Sequence, residues 1–443
     1  MTLRATLHEK DWRAWYADRL VSAEEAMARV QSGDHIWISV QQQVSALIAA
    51  LLARAPALKD VEVRTLVGGD FGWYDDFFKG RISVNTYFGS IFSREALREH
   101  RASFTPWMVW GAHKALDEHR PGARPIDVAL ISVTPPNANG YCCIGAHLWD
   151  ARTTAARAKL VVAAVNPFLP RTFGDTWLHV SAIDCFVEDP TPLSDTGAAY
   201  PPPDPWDAPI AGYVGSLVRD RDTLQVGTGS TTGNLARLGA FAGKQDLGYF
   251  AELTVPGLVD LAKDGVITSR YLNLHPGKFV TSTAGNSAAD LTFINDNALF
   301  EFYSTEYMHD PRVIGRIDNL VAINNALTVD LTGQIGASSL GYRTWSGTGG
   351  HLSYAIGAFL SPGGRYICIL PSTAVGGTVS RITAAFAPGQ VVTVPRDLAD
   401  YVVTEYGIAP LLNKTERERA QALISIAHPD FRAELRREAE RLF

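Results

Sequence analysis

The sequence predicts an α/β protein built as two tandem open α/β domains, residues 1–200 and 201–443, and three observations lead there. At 443 residues the chain is too long for one ordinary domain. Its apolar runs do not alternate, as in Ile126–Val133 (IDVALISV) and Lys159–Asn166 (KLVVAAVN), which suits parallel strands buried on both faces. A pattern of strand, small-residue or polar loop and helix opens the first half and restarts after a proline-rich stretch.

In order along the chain, Asp34–Ser39 (DHIWIS) is a short strand, Gln41–Gln43 a polar loop, and VSALIAALLARAP a helix ended by Pro56. The strand Val61–Leu66 completes a first β-loop-α-β unit. Asp189–Pro209 (DPTPLSDTGAAYPPPDPWDAP) carries too many prolines for a helix or a central strand and reads as a linker, with the boundary near Tyr200–Pro205. Beyond it, Thr223–Val226 is a strand, Gly227–Gly233 (GTGSTTG) a loop and Asn234–Gly243 a helix. Further strands are expected at Leu320–Ile323 and Tyr366–Leu370, and a charged helical tail over Glu416–Phe443. In such sheets ligands bind at the carboxyl ends of the strands.

Composition narrows the function. Hydrophobic residues at 46% and charged residues at 19% supply large cores and argue against disorder. A net charge of −6 with no long basic run disfavours nucleic acid or an anionic membrane as partner. The amino terminus, MTLRATLHEKDWRAWYADRL, lacks the apolar core of a signal peptide, and no segment has the ~18–20 consecutive apolar residues of a membrane span. Cys142, Cys143, Cys185 and Cys368 lack zinc-site spacing and read as buried thiols in a reducing cytoplasm. His113, His147 and His179 likewise lack metal-ligand spacing and read as structural.

Chemistry concentrates in the second half. Gly227, Thr228 and Gly229 join a strand to a helix, where backbone N–H groups can approach an anion. The loop lacks a P-loop ending and the full dinucleotide pattern, so no nucleotide redox cofactor is expected, and the Cys and His spacings above give no reason to expect a metal. Alone, it fits a packing turn equally well. Ser346-Gly347-Thr348-Gly349-Gly350-His351 is a second glycine cluster, able to point N–H groups at an oxyanion or to make a plain tight turn. Between them lies Glu252, in the apolar stretch Tyr249–Leu253, where an unpaired carboxylate is costly. A strand-end glutamate facing solvent is the simpler alternative. Lys278 could meet a phosphate or sit solvated in its loop. Arg381 could bind an anion or form an internal ion pair. The Phe104–Trp110 stretch could line an acid pocket or pack in a core.

Long segments resemble the acetyl-CoA hydrolase/transferase family, in particular its 4-hydroxybutyrate CoA-transferase branch. They include SGDHIWI, DVALISVTPPNANGYCCIGAHLWDA, AKLVVAAVNPFLPRTFGD, the Glu252 segment, DPRVIGRIDNLVAINNALTVDLTGQIGA, WSGTGGHLSYAIGAFLSPGGRYICILPSTAVGGTVSRI, VVTEYGIAPL and RAQALISIAHPDFR. The resemblance implies two CoA-transferase domains, coenzyme A and acyl-CoA as substrates beside a carboxylic acid, and a cytoplasmic homodimer or larger assembly. It places the family's nucleophile on Glu252. It gives Gly227, Thr228 and Gly229, with Gly347, Gly349 and Gly350, the contacts to CoA and to the thioester oxygen. Lys278 is a candidate for CoA and Trp345 for the acid, while His351 could bind the acid carboxylate or pack beside the glycine loop.

A glutamate carboxylate, with a reference pKa near ~4.3, attacks without a general base. The implied reaction is ping-pong through a glutamyl-CoA thioester, with acetyl-CoA or a similar donor. The same glutamate delivering acyl groups to water, as a hydrolase, and a non-catalytic acyl-CoA sensor are the alternatives. A sugar-phosphate isomerase of similar topology is disfavoured because the matching segments are transferase-specific. Ser39–Gln43 departs from the glycine-rich turn usual in the family, His351 stands where Gln is usual, Trp345 where Tyr is usual, and Phe104–Trp110 adds tryptophans.

Overall fold

The computed structural model describes residues 11–66, 71–193, 195 and 200–443. The first ten residues of the amino-terminal segment, and residues 194 and 196–199 of the proline-rich linker, lie outside the described residues. The chain divides into two compact units, Met1–Ser194 with Leu291–Glu306, and Asp195–Asp290 with Tyr307–Phe443. Each unit centres on a largely parallel sheet, so the α/β class read from the apolar runs is the class observed.

In the first unit the strands run in the order Cys185–Glu188, Leu160–Val165, Val128–Val133, His35–Ile38, Val61–Thr65, Ile82–Thr86, Ala102–Phe104, all parallel. Val128–Val133 is buried at every position, which explains a strand without polar alternation. Register sets Ile36 beside Val63 on one side and Val128 on the other. The helix Ser45–Ala53 lays Leu47, Ile48 and Leu51 onto this sheet. Burying each such side chain contributes about 1.5–3 kcal/mol. Pro56 does not simply end that helix; it sits early in a following 3-10 turn, Ala55–Ala57, where its missing N–H costs nothing.

The unusual Gln41–Gln43 loop is tied down by its own side chains. Gln42 accepts from the Ser132 backbone N–H (2.8 Å) and hydroxyl (3.1 Å) and donates to the His147 carbonyl (2.7 Å). Gln43 accepts from Asn166 Nδ2 at 2.8 Å. Polar residues therefore anchor this turn to two neighbouring strand ends. Trp107 of the tryptophan-rich stretch packs in an aromatic group, 4.4 Å from the Tyr87 ring and 5.8 Å from Trp37.

In the second unit the order is Gly407–Pro410, Tyr401–Thr404, Arg365–Ile369, Leu320–Asn325, Thr223–Val226, Gly248–Leu253, Phe279–Thr283. Only the hairpin between the first two of these is antiparallel. Three expectations need correction. Asn234–Gly243 is not a helix: a 3-10 turn, Thr232–Asn234, leads into successive turns. Gly239 and Gly243 hold φ of 79° and 73°, which a right-handed helix cannot contain. The proline-rich stretch is not wholly irregular, because the helix Asp207–Leu217 begins inside it. Pro209 lies in the first turn, where no intrahelical N–H bond is lost. The charged tail is two helices, Glu416–Ile426 and Pro429–Leu442, because Pro429 cannot continue the first and starts the second.

Among the described residues no helix is long and apolar enough to cross a membrane, and no group of three or more His, Cys, Asp or Glu side chains is arranged to hold a metal ion. The four cysteines are buried free thiols. His113, His147 and His179 are buried at 4%, 6% and 2% exposure, in keeping with structural roles.

Burial lowers the pKa of His113 to about 3, and those of His147 and His351 to about 4. A histidine whose folded pKa is depressed supports the fold above its unfolded pKa and loses that support as pH falls. Each contributes a slope of about 1.4 kcal/mol per pH unit below ~6.5. Asp150 and Asp400, whose carboxyl pKa values burial raises to about 6, gain stability as pH falls and offset part of this loss, so the urea midpoint of unfolding is expected to drop moderately from pH 6.5 to pH 5. A flat midpoint over that window would contradict the burial of these rings.

Candidate active site

Glu252 lies near the carboxyl end of the strand Gly248–Leu253, where full burial gives way to partial exposure. Tyr249, Phe250 and Ala251 are completely buried and fix the strand; the Tyr249 ring stacks on Phe279 at 4.1 Å. Two further bonds fasten its end. The Tyr249 hydroxyl donates to the Leu253 carbonyl (2.6 Å), and Thr281 Oγ1 donates to the Glu252 carbonyl (3.3 Å). The glutamate thus projects from a stiff element, with 16% of its side chain exposed.

Two groups crowd its carboxylate. His309 Nε2 lies 2.5 Å from Oε2, and the histidine side chain is entirely buried. Tyr354 meets that imidazole edge-on, ring centroids 5.6 Å apart at 89°. Gly350 is the second group and caps the helix His351–Leu360. A Cβ at Gly350 would stand 2.7 Å from Glu252 Oε2 and 2.8 Å from His309 Nε2, so the close approach requires glycine. The preceding Gly349 adopts φ of 53°, which turns the chain into the helix. The first N–H groups of a helix lack intrahelical partners and carry partial positive charge, a favourable neighbour for an anion. The Tyr354 phenol has its pKa raised well above the usual value, by burial first and then by the negative charge of Glu252.

The other glycine loop leaves the adjacent strand, Thr223–Val226. Gly227 continues the ladder through its N–H to the Ile323 carbonyl (2.9 Å). A Cβ at Gly227 would fall 2.3 Å from Asn324 Oδ1, and one at Gly229 would fall 1.5 Å from Asn325 Nδ2. Asn325 in turn donates to Thr232 Oγ1 at 2.7 Å. Thr228 shares a 3.0 Å hydrogen bond with the Tyr200 hydroxyl, and the Tyr200 ring occupies the space a side chain at Gly233 would need. Burial raises the Tyr200 pKa, and the charge of Glu252 pushes it the same way. Glu252 and both glycine loops thus gather within one unit, Gly227 directly following its strand.

Other candidates are placed elsewhere. Register sets Ala251 beside Thr281 and Leu253 beside Thr283, whereas Lys278 precedes that strand at its amino end. Four residues of extended chain separate it from Ser282, the position facing Glu252, a distance of about 13 Å. His351 is buried, and its Nε2 contacts the Tyr366 hydroxyl, so the ring is turned into the core. Trp345 follows the hairpin strand Arg343–Thr344, with the Arg343 guanidinium 5.9 Å from its ring centre. Arg381 Nε donates to the Thr373 carbonyl at 3.1 Å. Sequence reasoning missed His309, Tyr354 and Tyr200. Tyr200 lay in a stretch read only as linker, and His309 in an unremarkable Met-His-Asp.

The acetyl-CoA hydrolase/transferase N-terminal domain matches residues 5–194, and the C-terminal domain of the same family matches residues 288–439. The chain is 37% identical to the 4-hydroxybutyrate coenzyme A transferase of Clostridium kluyveri over 98% of its own length and 100% of the relative's. It is 35% identical to the succinyl-CoA:cyclohexane-1-carboxylate CoA transferase of Geobacter metallireducens, over 98% of each chain. Among solved structures, RipA from Yersinia pestis superposes with a TM-score of 0.90 at 31% identity, over 98% of this chain and 99% of that one. With both halves matched in order and full-length relatives above 30% identity, the chain belongs to the acetyl-CoA hydrolase/transferase family.

Proposed function

We propose that this CoA-transferase moves CoA between an acyl-CoA, such as acetyl-CoA, and a carboxylic acid through a covalent thioester on Glu252. One observation carries the reading: a carboxylate on a rigid strand end lies against the amino terminus of a helix, at a clearance only Gly350 permits. The names of the two relatives, one of 4-hydroxybutyrate and the other of succinyl-CoA and cyclohexane-1-carboxylate, support carboxylic acids as the exchanging partners.

In the first step Glu252 attacks the thioester carbonyl carbon, the C–S bond breaks, and CoA leaves as thiolate. The product is a mixed anhydride between the acyl group and Glu252. The thiolate then attacks the glutamyl carbonyl carbon and expels the first acid as carboxylate, leaving glutamyl-CoA. A second acid reverses both steps. The loops Gly227–Gly229 and Gly347–Gly350 are the proposed contacts to CoA and to the oxyanion on the acyl carbon. One aimed backbone donor contributes on the order of 3 kcal/mol. Binding of the distant part of CoA supplies further energy for orientation. A cytoplasmic setting agrees with four buried cysteines kept as free thiols.

The test is mass spectrometry after mixing the protein with acetyl-CoA and then borohydride, which reduces a thioester to an alcohol. The peptide containing Glu252 is expected to lose about 14 Da, only when acyl-CoA is present. No modified peptide with any of several acyl-CoAs would remove the covalent route.

A further inference from the structure

We infer that His351 is a positioning residue: its hydrogen bond to Tyr366 seats the start of the helix His351–Leu360 and so sets the clearance between Gly350 and Glu252. This role rests on Glu252 being the nucleophile, as proposed above.

Glu252 stands at the end of a strand and Gly350 at the start of a helix, so their approach depends on how that helix is seated. Toward its far end the helix is wedged. A Cβ on Gly357 would fall 2.2 Å from Ile314 Cγ2, and one on Gly315 would fall 2.7 Å from Leu360 Cβ. Gly350 and Gly357 lie seven positions apart, about 10 Å along the helix. A pivot of about 6° at the wedge would move Gly350 by about 1 Å, a displacement that can cost about 100-fold in rate.

The amino end is held by a side chain. His351, the first residue of the helix, is 7% exposed, and its Nε2 bonds to the hydroxyl of Tyr366, which is 2% exposed. The ring centres lie 5.7 Å apart. Tyr366 belongs to the strand Arg365–Ile369, and its N–H donates to Asp400 Oδ2 at 3.2 Å. Register carries the connection across the sheet. Tyr366 lies beside Ala322, Ala322 beside Gln225, and Leu224 beside Tyr249 on the strand of Glu252. The helix start and the nucleophile are thus both fastened to one hydrogen-bonded sheet.

Burial lowers the His351 pKa to about 4, so the ring is neutral near pH 7. A hydroxyl both donates and accepts, and therefore complements Nε2 in either tautomer. With Nε2 committed to Tyr366 inside the core, the ring is not offered to an acid. Glutamine, usual at this position in the family, carries a donor and an acceptor at similar reach and can make the same bond. Leucine fills the space and cannot.

The experiment compares His351→Leu, His351→Gln, Tyr366→Phe and the double variant His351→Leu with Tyr366→Phe. Steady-state constants are measured with acetyl-CoA, and rates are taken per Glu252 trapped by borohydride, so unfolded protein does not count. His351→Leu and Tyr366→Phe are each expected to lower kcat about 10- to 100-fold, with KM for acyl-CoA within about twofold. His351→Gln should stay within about threefold of the unaltered kcat, and the double variant should be no worse than the poorer single one. If His351→Leu does not fold by circular dichroism, Tyr366→Phe, which removes one hydroxyl, carries the test. A kcat within about threefold in the Leu and Phe variants would overturn the role. So would equal losses in the Leu and Gln variants, additive losses in the double variant, or a raised KM at unchanged kcat, the mark of a substrate contact. Trapping at Glu252 in the unaltered enzyme separates these failures from failure of the covalent reading, which would show no trapping at all.

Discussion

Glu252→Gln is expected to lower kcat at least ~10,000-fold while leaving the melting temperature nearly unchanged. The carboxamide keeps the shape of the side chain beside His309 and Gly350 but offers no anionic oxygen to attack a thioester. No neighbouring group can replace it in that position. On one side stands a buried imidazole, on the other a glycine whose approach leaves no room for a further side chain. Glu252→Asp is the informative companion. It retains the charge but withdraws it by one methylene, and misplacement on the order of 1 Å can cost 100-fold. A ranking of Glu far above Asp, with Asp above Gln, is the expected result in a transfer assay using acetyl-CoA and a panel of acids. Transfer by the Gln variant within tenfold of the unaltered enzyme would mean that Glu252 is not the nucleophile.

Gly350→Ala carries the second large effect. The φ of Gly350 is −80°, an ordinary value for alanine, so the backbone itself tolerates the change. The new methyl would nevertheless meet Glu252 Oε2 at 2.7 Å and His309 Nε2 at 2.8 Å. Both contacts fall well inside the ~3.5 Å of normal packing, so the carboxylate, the imidazole or the helix start must shift. A kcat loss of about 100-fold is expected. Overpacking costs about 1–3 kcal/mol, offset only in part by the restriction alanine places on the unfolded chain, about 0.4–1 kcal/mol. The signature is a crippled enzyme whose melting temperature falls by only a few degrees. Gly349→Ala makes the contrast: with φ of 53° it strains the backbone and should lose stability as well. Normal turnover in Gly350→Ala would show that the carboxylate has freedom the structure does not give it.

The fold was legible because its evidence is local. An unalternating run such as Val128–Val133 can satisfy six buried positions only as a central parallel strand. The two glycine loops and Glu252 were legible as separate candidates for the same reason. Their convergence was not, because strand order is a long-range property: Thr223–Val226 pairs with both Gly248–Leu253 and Leu320–Asn325. Nor could the sequence reveal His309, whose neighbours in the chain resemble any helix start. Its importance comes from a contact spanning 57 positions in the numbering, between residues 252 and 309. The expected helix over Asn234–Gly243 failed for the opposite reason. Alanine and leucine there suit a helix, but Gly239 and Gly243 take left-handed angles that the loop geometry demands and that local propensity does not reveal.

Tyr200 shows that the stretch joining the halves of the chain is not an inert connector. Its ring fills the space above Gly233, and its hydroxyl is bonded to Thr228 in the glycine loop. A chimaera that exchanges the amino-terminal half of this chain should therefore place its crossover upstream of this tyrosine. A splice within Tyr200–Pro205 would separate the loop from the residue that braces it.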